Sequence, residues 1–165
     1  MNLESIDAEY VALRRNLTDY ILAGGRLCVI KAPPGSGKTH TLIEVLSALA
    51  INGMHVAVAT QTNSQADDIC IRWARDHPEV ATTRFSSAGR AAPDGFPRSV
   101  VWIADKAALP QGPGVTIATT AKWSVTDLPG TYDLFAVDEA WQMSWADLMQ
   151  CAMISEKYLM IGDPG

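Results

Sequence analysis

The chain has 165 residues, a formal net charge of -5 and the composition of an ordinary globular protein, with 48% apolar and 19% charged residues. Its length suits one domain with a sizeable core. The acidic balance excludes a uniformly basic nucleic-acid-binding surface but not local phosphate contacts through N–H groups and hydroxyls. The sequence lacks a membrane-spanning apolar run and a signal peptide, so we expect a cytoplasmic protein with no membrane partner.

The cysteines and histidines show no metal-binding pattern. The cysteines are few, far apart and set in apolar surroundings, which predicts reduced core thiols: Cys28, Cys70 and Cys151. The histidines lack the spacing of metal ligands: His40, His55 and His77.

Helical apolar spacing over residues 6–23, ending at Gly24 and Gly25, predicts a first helix. A buried strand is predicted at residues 27–30, and a second helix follows from Thr41. Between them, residues 31–39 read Lys-Ala-Pro-Pro-Gly-Ser-Gly-Lys-Thr, which fits the phosphate-binding P-loop pattern apart from Ala32 at the position of its first glycine.

The P-loop chemistry assigns roles to its residues. Gly35 and Gly37 allow successive N–H groups to converge on phosphate oxygens at a helix N-terminus. Lys38 would reach the β and γ phosphates, and the Thr39 hydroxyl would hold Mg²⁺. The predicted contacts to ATP are Pro34, Gly35, Ser36, Gly37, Lys38, Thr39 and His40. A glycine-rich turn without a ligand is the alternative, which the flanking strand and helix disfavour.

Residues 55–60 predict a second buried strand, and residues 61–69 lead into a predicted helix that continues through about Ala74. Thr60, Asn63 and Ser64 lie where the strand ends and the helix begins, the edge at which open α/β sheets bind ligands. Capping of the helix by Asn63 or Ser64 is an alternative that is compatible with a second role.

Residues 86–114 are rich in glycine and proline, and only residues 99–103 within them resemble a strand. Arg84, Arg90 and Arg98 are interpreted as scattered surface arginines, with a small basic patch as the alternative. Residues 115–119 predict a further strand, with Thr119 and Thr120 at its carboxyl end.

The second strong signal is an apolar strand at residues 134–137 that runs into Asp138 and Glu139. A parallel strand would bring these carboxylates to the same sheet edge as the P-loop. Asp138 would then bind Mg²⁺, and Glu139 would orient and deprotonate the attacking water.

A helix is predicted over residues 140–153, with Trp141 and Trp145 four positions apart on one face. Core packing of both tryptophans is expected, with base stacking as the alternative. Residues 158–161 predict the last strand, before Gly-Asp-Pro-Gly at 162–165.

These motifs, in this order, resemble the first RecA-like domain of a superfamily 1 helicase. The match rests on residues 32–39, on Asp-Glu-Ala-Trp-Gln at 138–142 and on the Gly-Asp-Pro motif that begins at Gly162. The resemblance implies that Gln142 and Asp163 lie near the γ phosphate, with Lys38 and Glu139 as their catalytic partners. It also implies contacts to single-stranded DNA or RNA through Thr60, Asn63, Ser64, Thr119 and Thr120.

The sequence therefore predicts an α/β RecA-like P-loop NTPase, residues 1–165, with a mainly parallel sheet of about five or six strands and helices on both faces. The expected function is hydrolysis of Mg·ATP coupled to movement along a single strand. A second RecA-like domain, which is absent from this sequence, would be required. The sequence has no glutamine before Gln61 to match the family's adenine-recognising residue, so base specificity stays open. A stand-alone P-loop protein, such as a small-molecule kinase, and an inert fragment are the alternatives.

Overall fold

The computed structural model describes residues 3–163, with side chains from residue 8 onward. In this part of the chain, parallel strands form a seven-stranded sheet in the order β1-β7-β6-β2-β5-β3-β4. The strands are β1 (Leu27–Lys31), β2 (His55–Thr60), β3 (Thr82–Phe85), β4 (Val101–Ile103), β5 (Gly114–Thr119), β6 (Leu134–Asp138) and β7 (Tyr158–Gly162). The predicted mainly parallel α/β fold is confirmed, with β3 as the strand that the sequence did not indicate.

Helices cover both faces of the sheet, as predicted. The helices are α1 (Leu3–Leu22), α2 (Lys38–Ile51), α3 (Asn63–Asp76), α4 (Thr120–Ser124) and α5 (Trp145–Cys151), with short 3₁₀ helices at Lys106–Ala108 and Ala140–Gln142. Within residues 3–163, no helix combines the length and the apolarity needed to cross a membrane.

The core has two parts because successive strand residues face opposite sides of the sheet. Val56 and Val58 of β2 pack with residues of α1, α2 and α3. Ala57 and Ala59 pack on the other side, against Trp123 of α4. Burial on both faces explains why the central strands are continuously apolar.

The strand register brings the two strong motifs together. Lys31 of β1 pairs with Gly162 of β7, and Asp138 of β6 pairs with Ile161 of β7. The ends of β1 and β6 therefore flank the end of β7. The Ala32 N–H donates to the Gly162 carbonyl at 3.1 Å, which fixes the start of the P-loop against β7.

The helix predicted over residues 140–153 is broken, and that prediction is wrong. A 3₁₀ helix at Ala140–Gln142 is followed by extended backbone at Met143, and α5 starts only after Ser144. The Ser144 hydroxyl caps α5 by accepting from the Asp147 N–H at 3.1 Å. Trp141 and Trp145 therefore lie on different elements.

Candidate nucleotide site and nucleic-acid interface

The P-loop connects β1 to α2 through two glycines in the left-handed region. Gly35 has a φ of 75° and Gly37 a φ of 77°, conformations that L side chains rarely adopt. Gly37 is the N-cap residue of α2 and makes no side-chain cap, so the helix N-terminus keeps N–H groups for a ligand. The loop geometry is that of an anion-binding turn.

Lys38, the first residue of α2, is buried at 9% exposure. Its Nζ donates to the Pro33 carbonyl at 3.3 Å and lies 3.8 Å from Glu139 Oε1. A buried ammonium needs a partner. The lysine is therefore held between the P-loop backbone and the carboxylate of Glu139, the residue that follows β6.

Thr39, the residue after Lys38, contacts Asp138 at the end of β6. The Thr39 hydroxyl donates to Asp138 Oδ2 at 3.3 Å, and the Glu139 N–H donates to Asp138 Oδ1 at 3.1 Å. Burial raises the pKa of Asp138 above its usual range, and the neighbouring Glu139 carboxylate adds to the increase, although the Thr39 and Glu139 hydrogen bonds oppose it. A cation at this point would relieve that cost.

Glu139 has a φ of 54°, the only positive φ of a non-glycine residue among those the structure describes. Such a conformation costs energy and is concentrated at functional sites. It turns the chain out of β6 so that the half-buried Glu139 side chain stays beside Lys38. The strained backbone of Glu139 thus places its carboxylate next to the P-loop lysine.

The residues present fit a nucleotide phosphate with Mg²⁺. Ser36 Oγ is a buried hydroxyl in the P-loop for which the described residues provide no hydrogen-bond partner. Thr39 and Asp138 supply hydroxyl and carboxylate oxygens, the donors that Mg²⁺ prefers. Within residues 3–163, no three His, Cys, Asp or Glu residues cluster to hold a metal by themselves, so a magnesium ion here would need phosphate or water ligands as well.

A cavity of about 350 Å³ borders the P-loop on the side of α1. Tyr10, Arg14 and His40 line it together with Gly35 and Ser36. The Tyr10 hydroxyl donates to the Ser36 carbonyl at 3.1 Å, so α1 supports the loop directly. His40 is exposed where it lines the cavity, and Pro34 of the loop is also exposed. This cavity is one space beside the P-loop that the rest of a nucleotide could occupy.

Gln142 and Asp163 lie on elements next to the site. Gln142 is exposed in the 3₁₀ helix after Glu139, and Asp163 follows the end of β7 with partial exposure. Gly162 packs tightly against this helix, since a Cβ there would lie 2.8 Å from Trp141 and 3.0 Å from the Ala140 nitrogen. Pro164 and Gly165, the rest of the Gly-Asp-Pro-Gly motif, lie outside the described residues.

The predicted nucleic-acid residues divide into buried and exposed side chains. Three are buried and bonded internally: Thr60 donates to the Thr62 carbonyl, Thr119 caps α4, and Thr120 donates to the Thr60 carbonyl. Asn63 and Ser64 are exposed at the start of α3. Neither caps that helix, because a capping box of Thr62 and Gln65 does so.

The expected core packing of the two tryptophans is wrong. Trp145 is 76% exposed and Trp141 is 39% exposed. The Lys31 ammonium lies 5.9 Å from the centre of the Trp141 ring. Trp141 is therefore a partly exposed residue of the 3₁₀ helix, and its ring lies near Lys31 of β1.

The interpretation of Arg84 as a surface residue is also wrong, because this side chain is fully buried. Arg84 bonds to Asp67 and Asn63, residues far from it in the sequence. The sequence offered only the four β-compatible residues 82–85 as a signal, and these do not reveal the partners.

The fold and site define a RecA-like domain with the phosphate-binding loop of a nucleotide-binding protein. A family profile described as "AAA domain" matches residues 7–100, more than half of the chain, and the chain belongs to this family. Together with two helicase relatives, this family match confirms the resemblance to a superfamily 1 helicase domain.

Two curated relatives are helicases. The chain is 30% identical over 71 residues to the DNA polymerase alpha-associated DNA helicase A of Schizosaccharomyces pombe, a match that covers 43% of this chain and 11% of that protein. It is 23% identical over 156 residues to the DNA replication ATP-dependent helicase/nuclease JHS1 of Arabidopsis thaliana, covering 87% of this chain and 11% of that protein. The chain thus spans about a tenth of these relatives.

Two solved structures share the fold. One is a nuclease-deletion mutant of the Type ISP restriction-modification enzyme LlaGI in complex with a DNA substrate mimic, with a TM-score of 0.63 at 16% identity, covering 90% of this chain and 17% of that one. The other is the Arterivirus nonstructural protein 10 helicase with DNA, with a TM-score of 0.55 at 19% identity, covering 90% and 30%.

Proposed function

We propose that this domain binds Mg·ATP at the P-loop and hydrolyses it, as the first half of a motor that moves along single-stranded DNA or RNA. The observation that carries the proposal is the convergence of Lys38, Thr39, Asp138 and Glu139 at one sheet edge. These residues supply a phosphate-binding ammonium, a hydroxyl and carboxylate for a cation, and a general base.

Each residue contributes to binding or proton transfer. The loop N–H groups and Lys38 bind the phosphate oxygens. For Lys38, these oxygens would take the place of its present contacts with the Pro33 carbonyl and the Glu139 carboxylate. Glu139 orients a water molecule and accepts its proton. Thr39 and Asp138 would hold Mg²⁺, which when bound neutralises charge on the phosphates.

The sheet edge next to the nucleotide supports a nucleic-acid contact. Asn63 and Ser64 are exposed on α3, which follows β2, the neighbour of β6 in the sheet. We assign the direct contacts to these two residues. The buried threonines would support this surface from below: Thr60, Thr119 and Thr120. The Thr120 hydroxyl, for example, donates to the Thr60 carbonyl at 3.2 Å and so joins the start of α4 to the end of β2.

The proposed motor requires a second RecA-like domain to supply an arginine to the phosphates. Arg14 lines the cavity beside the P-loop, and its guanidinium pairs with Glu44 at 3.4 Å. An arginine supplied to the transferred phosphate from a partner is worth roughly 10³- to 10⁵-fold in rate. This chain alone should therefore hydrolyse ATP very slowly.

Binding assays test the proposal. Fluorescent ATP is titrated with Mg²⁺ into the wild type, Lys38→Ala and the matched control Lys106→Ala, whose lysine lies on an exposed 3₁₀ helix. We expect roughly 10- to 100-fold weaker binding for Lys38→Ala, the effect of losing a charged hydrogen-bond donor. The same samples are titrated with labelled oligo-dT and oligo-U.

Tight nucleotide binding together with binding of one oligonucleotide supports the proposal. Equal nucleotide affinities for Lys38→Ala and Lys106→Ala would contradict the assigned site. Nucleotide binding with no response to either oligonucleotide would favour the stand-alone P-loop protein, and phosphate transfer to a small acceptor would identify a kinase.

A further inference from the structure

A buried arginine connects the exposed start of α3 to the sheet. Arg84 of β3 has no exposed side-chain surface, and its guanidinium donates to Asp67 Oδ1 at 2.8 Å and to Asn63 Oδ1 at 2.7 Å. A further donor bonds to the Phe85 carbonyl at 2.7 Å. The planar donor geometry of arginine makes such a three-way arrangement specific.

This contact determines how the Asn63 amide is oriented. Arginine carries donors and no acceptor, so Asn63 must present its carbonyl oxygen to Arg84. The amide nitrogen, on the other arm of the same carbon, is then directed away from Arg84. Asn63 is exposed and is not needed for capping, so its N–H donors are available at the surface.

A second set of contacts holds the guanidinium and α3 in place. Asp67, one turn after Asn63 on the same helix face, bonds to Arg84 through one oxygen and to Arg90 through the other. Trp102 fixes the Arg90 segment by donating to the Arg90 carbonyl at 3.0 Å. Its ring also lies 5.4 Å from the Arg84 guanidinium. The network therefore joins α3, β3, β4 and the loop that contains Arg90.

We propose that Arg84 is a positioning residue that holds the Asn63 amide with its N–H donors outward to bind a phosphate oxygen of a single-stranded nucleic acid. The inference rests on the proposed function and names the chemistry of that contact. Phosphate oxygens only accept hydrogen bonds, so the donor end of the amide is the end that fits. Such a neutral donor also suits a chain with a net charge of -5.

The first test is Asn63→Asp, because aspartate keeps an oxygen facing Arg84 and removes the N–H donors. Asn52→Asp is the matched control, since it makes the same charge change at the exposed C-cap of α2. We expect the affinity for labelled oligo-dT or oligo-U to fall at least about tenfold in Asn63→Asp and little in Asn52→Asp. Nucleotide binding by each sample shows that the P-loop is folded.

The second test separates positioning from general stabilisation. Arg84→Lys keeps a charge beside Asp67 but lacks the fork that also reaches Asn63. Its effect on oligonucleotide affinity is measured in the wild type and in Asn63→Ala. We expect weaker binding in the wild-type background and no further loss in Asn63→Ala. A merely structural Arg84 would weaken binding equally in both backgrounds, which would overturn the proposal.

The outcomes distinguish a failure of the proposed function from a failure of the inference about Arg84 and Asn63. If the wild type binds neither oligonucleotide, the proposed function fails and the inference fails with it. If the wild type binds and Asn63→Asp binds equally well, only the inference is overturned. If Arg84→Lys does not fold, Asn63→Ala decides the donor role, because it removes the N–H donors without adding a charge, and an unchanged oligonucleotide affinity in Asn63→Ala would overturn the proposal.

Discussion

Thr39 Oγ1 lies 3.3 Å from Asp138 Oδ2, although 99 positions separate the two residues in the chain. The parallel sheet produces this contact, because β1 and β6 both end beside β7. The contact joins the phosphate-binding loop to the carboxylates of the second motif. It makes the two sequence signals parts of one site.

The Asp138 carboxylate should reduce the stability of the domain in the absence of ligand. Burial raises its pKa above 3.8, so the native state holds the proton more tightly than the unfolded chain, and stability falls as the pH rises through the folded pKa. Asp138→Asn, whose amide can still bond to Thr39, should raise Tm at neutral pH. Each kcal/mol gained corresponds to about 2–4 °C for a chain of this size.

Thermal unfolding from acid to neutral pH measures this effect, with the exposed Asp127→Asn as control. The gain in Asp138→Asn should shrink towards acid pH, where the wild-type carboxyl is protonated. A lower Tm for Asp138→Asn at neutral pH would contradict the account.

His77 should stabilise the packing of α3 on α2 in a pH-dependent way. Burial lowers the pKa of His77, but hydrogen bonds to the Glu44 and Glu79 carboxylates outweigh it and leave the pKa above 6.5. The distance from His77 Nε2 to Glu44 Oε1 is 2.9 Å. The contribution is therefore complete below 6.5 and is lost as the pH rises through the folded pKa.

The corresponding variant is His77→Gln, which can keep one hydrogen bond but not the charge. Urea unfolding should show a deficit in its free energy of unfolding at about pH 5.5 that disappears at about pH 9. A deficit of the same size at both pH values would show that the imidazolium charge has no role.

Gly162 should be needed for the shape of the catalytic edge. A Cβ there would lie 2.8 Å from the Trp141 ring and 3.0 Å from the Ala140 nitrogen, so Gly162→Ala must displace the segment after Glu139. We expect a loss of about 1–3 kcal/mol in stability and slower hydrolysis. Gly112→Ala is the control, since an added Cβ there meets no atom within 4 Å and no positive φ is required. Equal stability and activity of the two variants would contradict the tight packing.

The sequence predicted the elements that depend on local patterns. The P-loop and the pair Asp138 and Glu139 were recognisable because residue type and spacing encode their chemistry. The buried Arg84 was missed because its burial depends on Asp67 and Asn63, which only the fold brings near it. The break before α5 had a local signal, Ser144 three residues before Asp147, but the apolar periodicity concealed it.

The central claim is that Glu139 activates water for hydrolysis at this P-loop. Its most direct test is phosphate release from Mg·ATP by the wild type, Glu139→Gln and the exposed control Glu156→Gln, each with and without single-stranded DNA or RNA. We predict slow release that one nucleic acid stimulates and that Glu139→Gln reduces by roughly 10²- to 10⁴-fold, with nucleotide binding retained. Release by Glu139→Gln at the wild-type rate, or robust strand separation by this chain alone, would contradict the account.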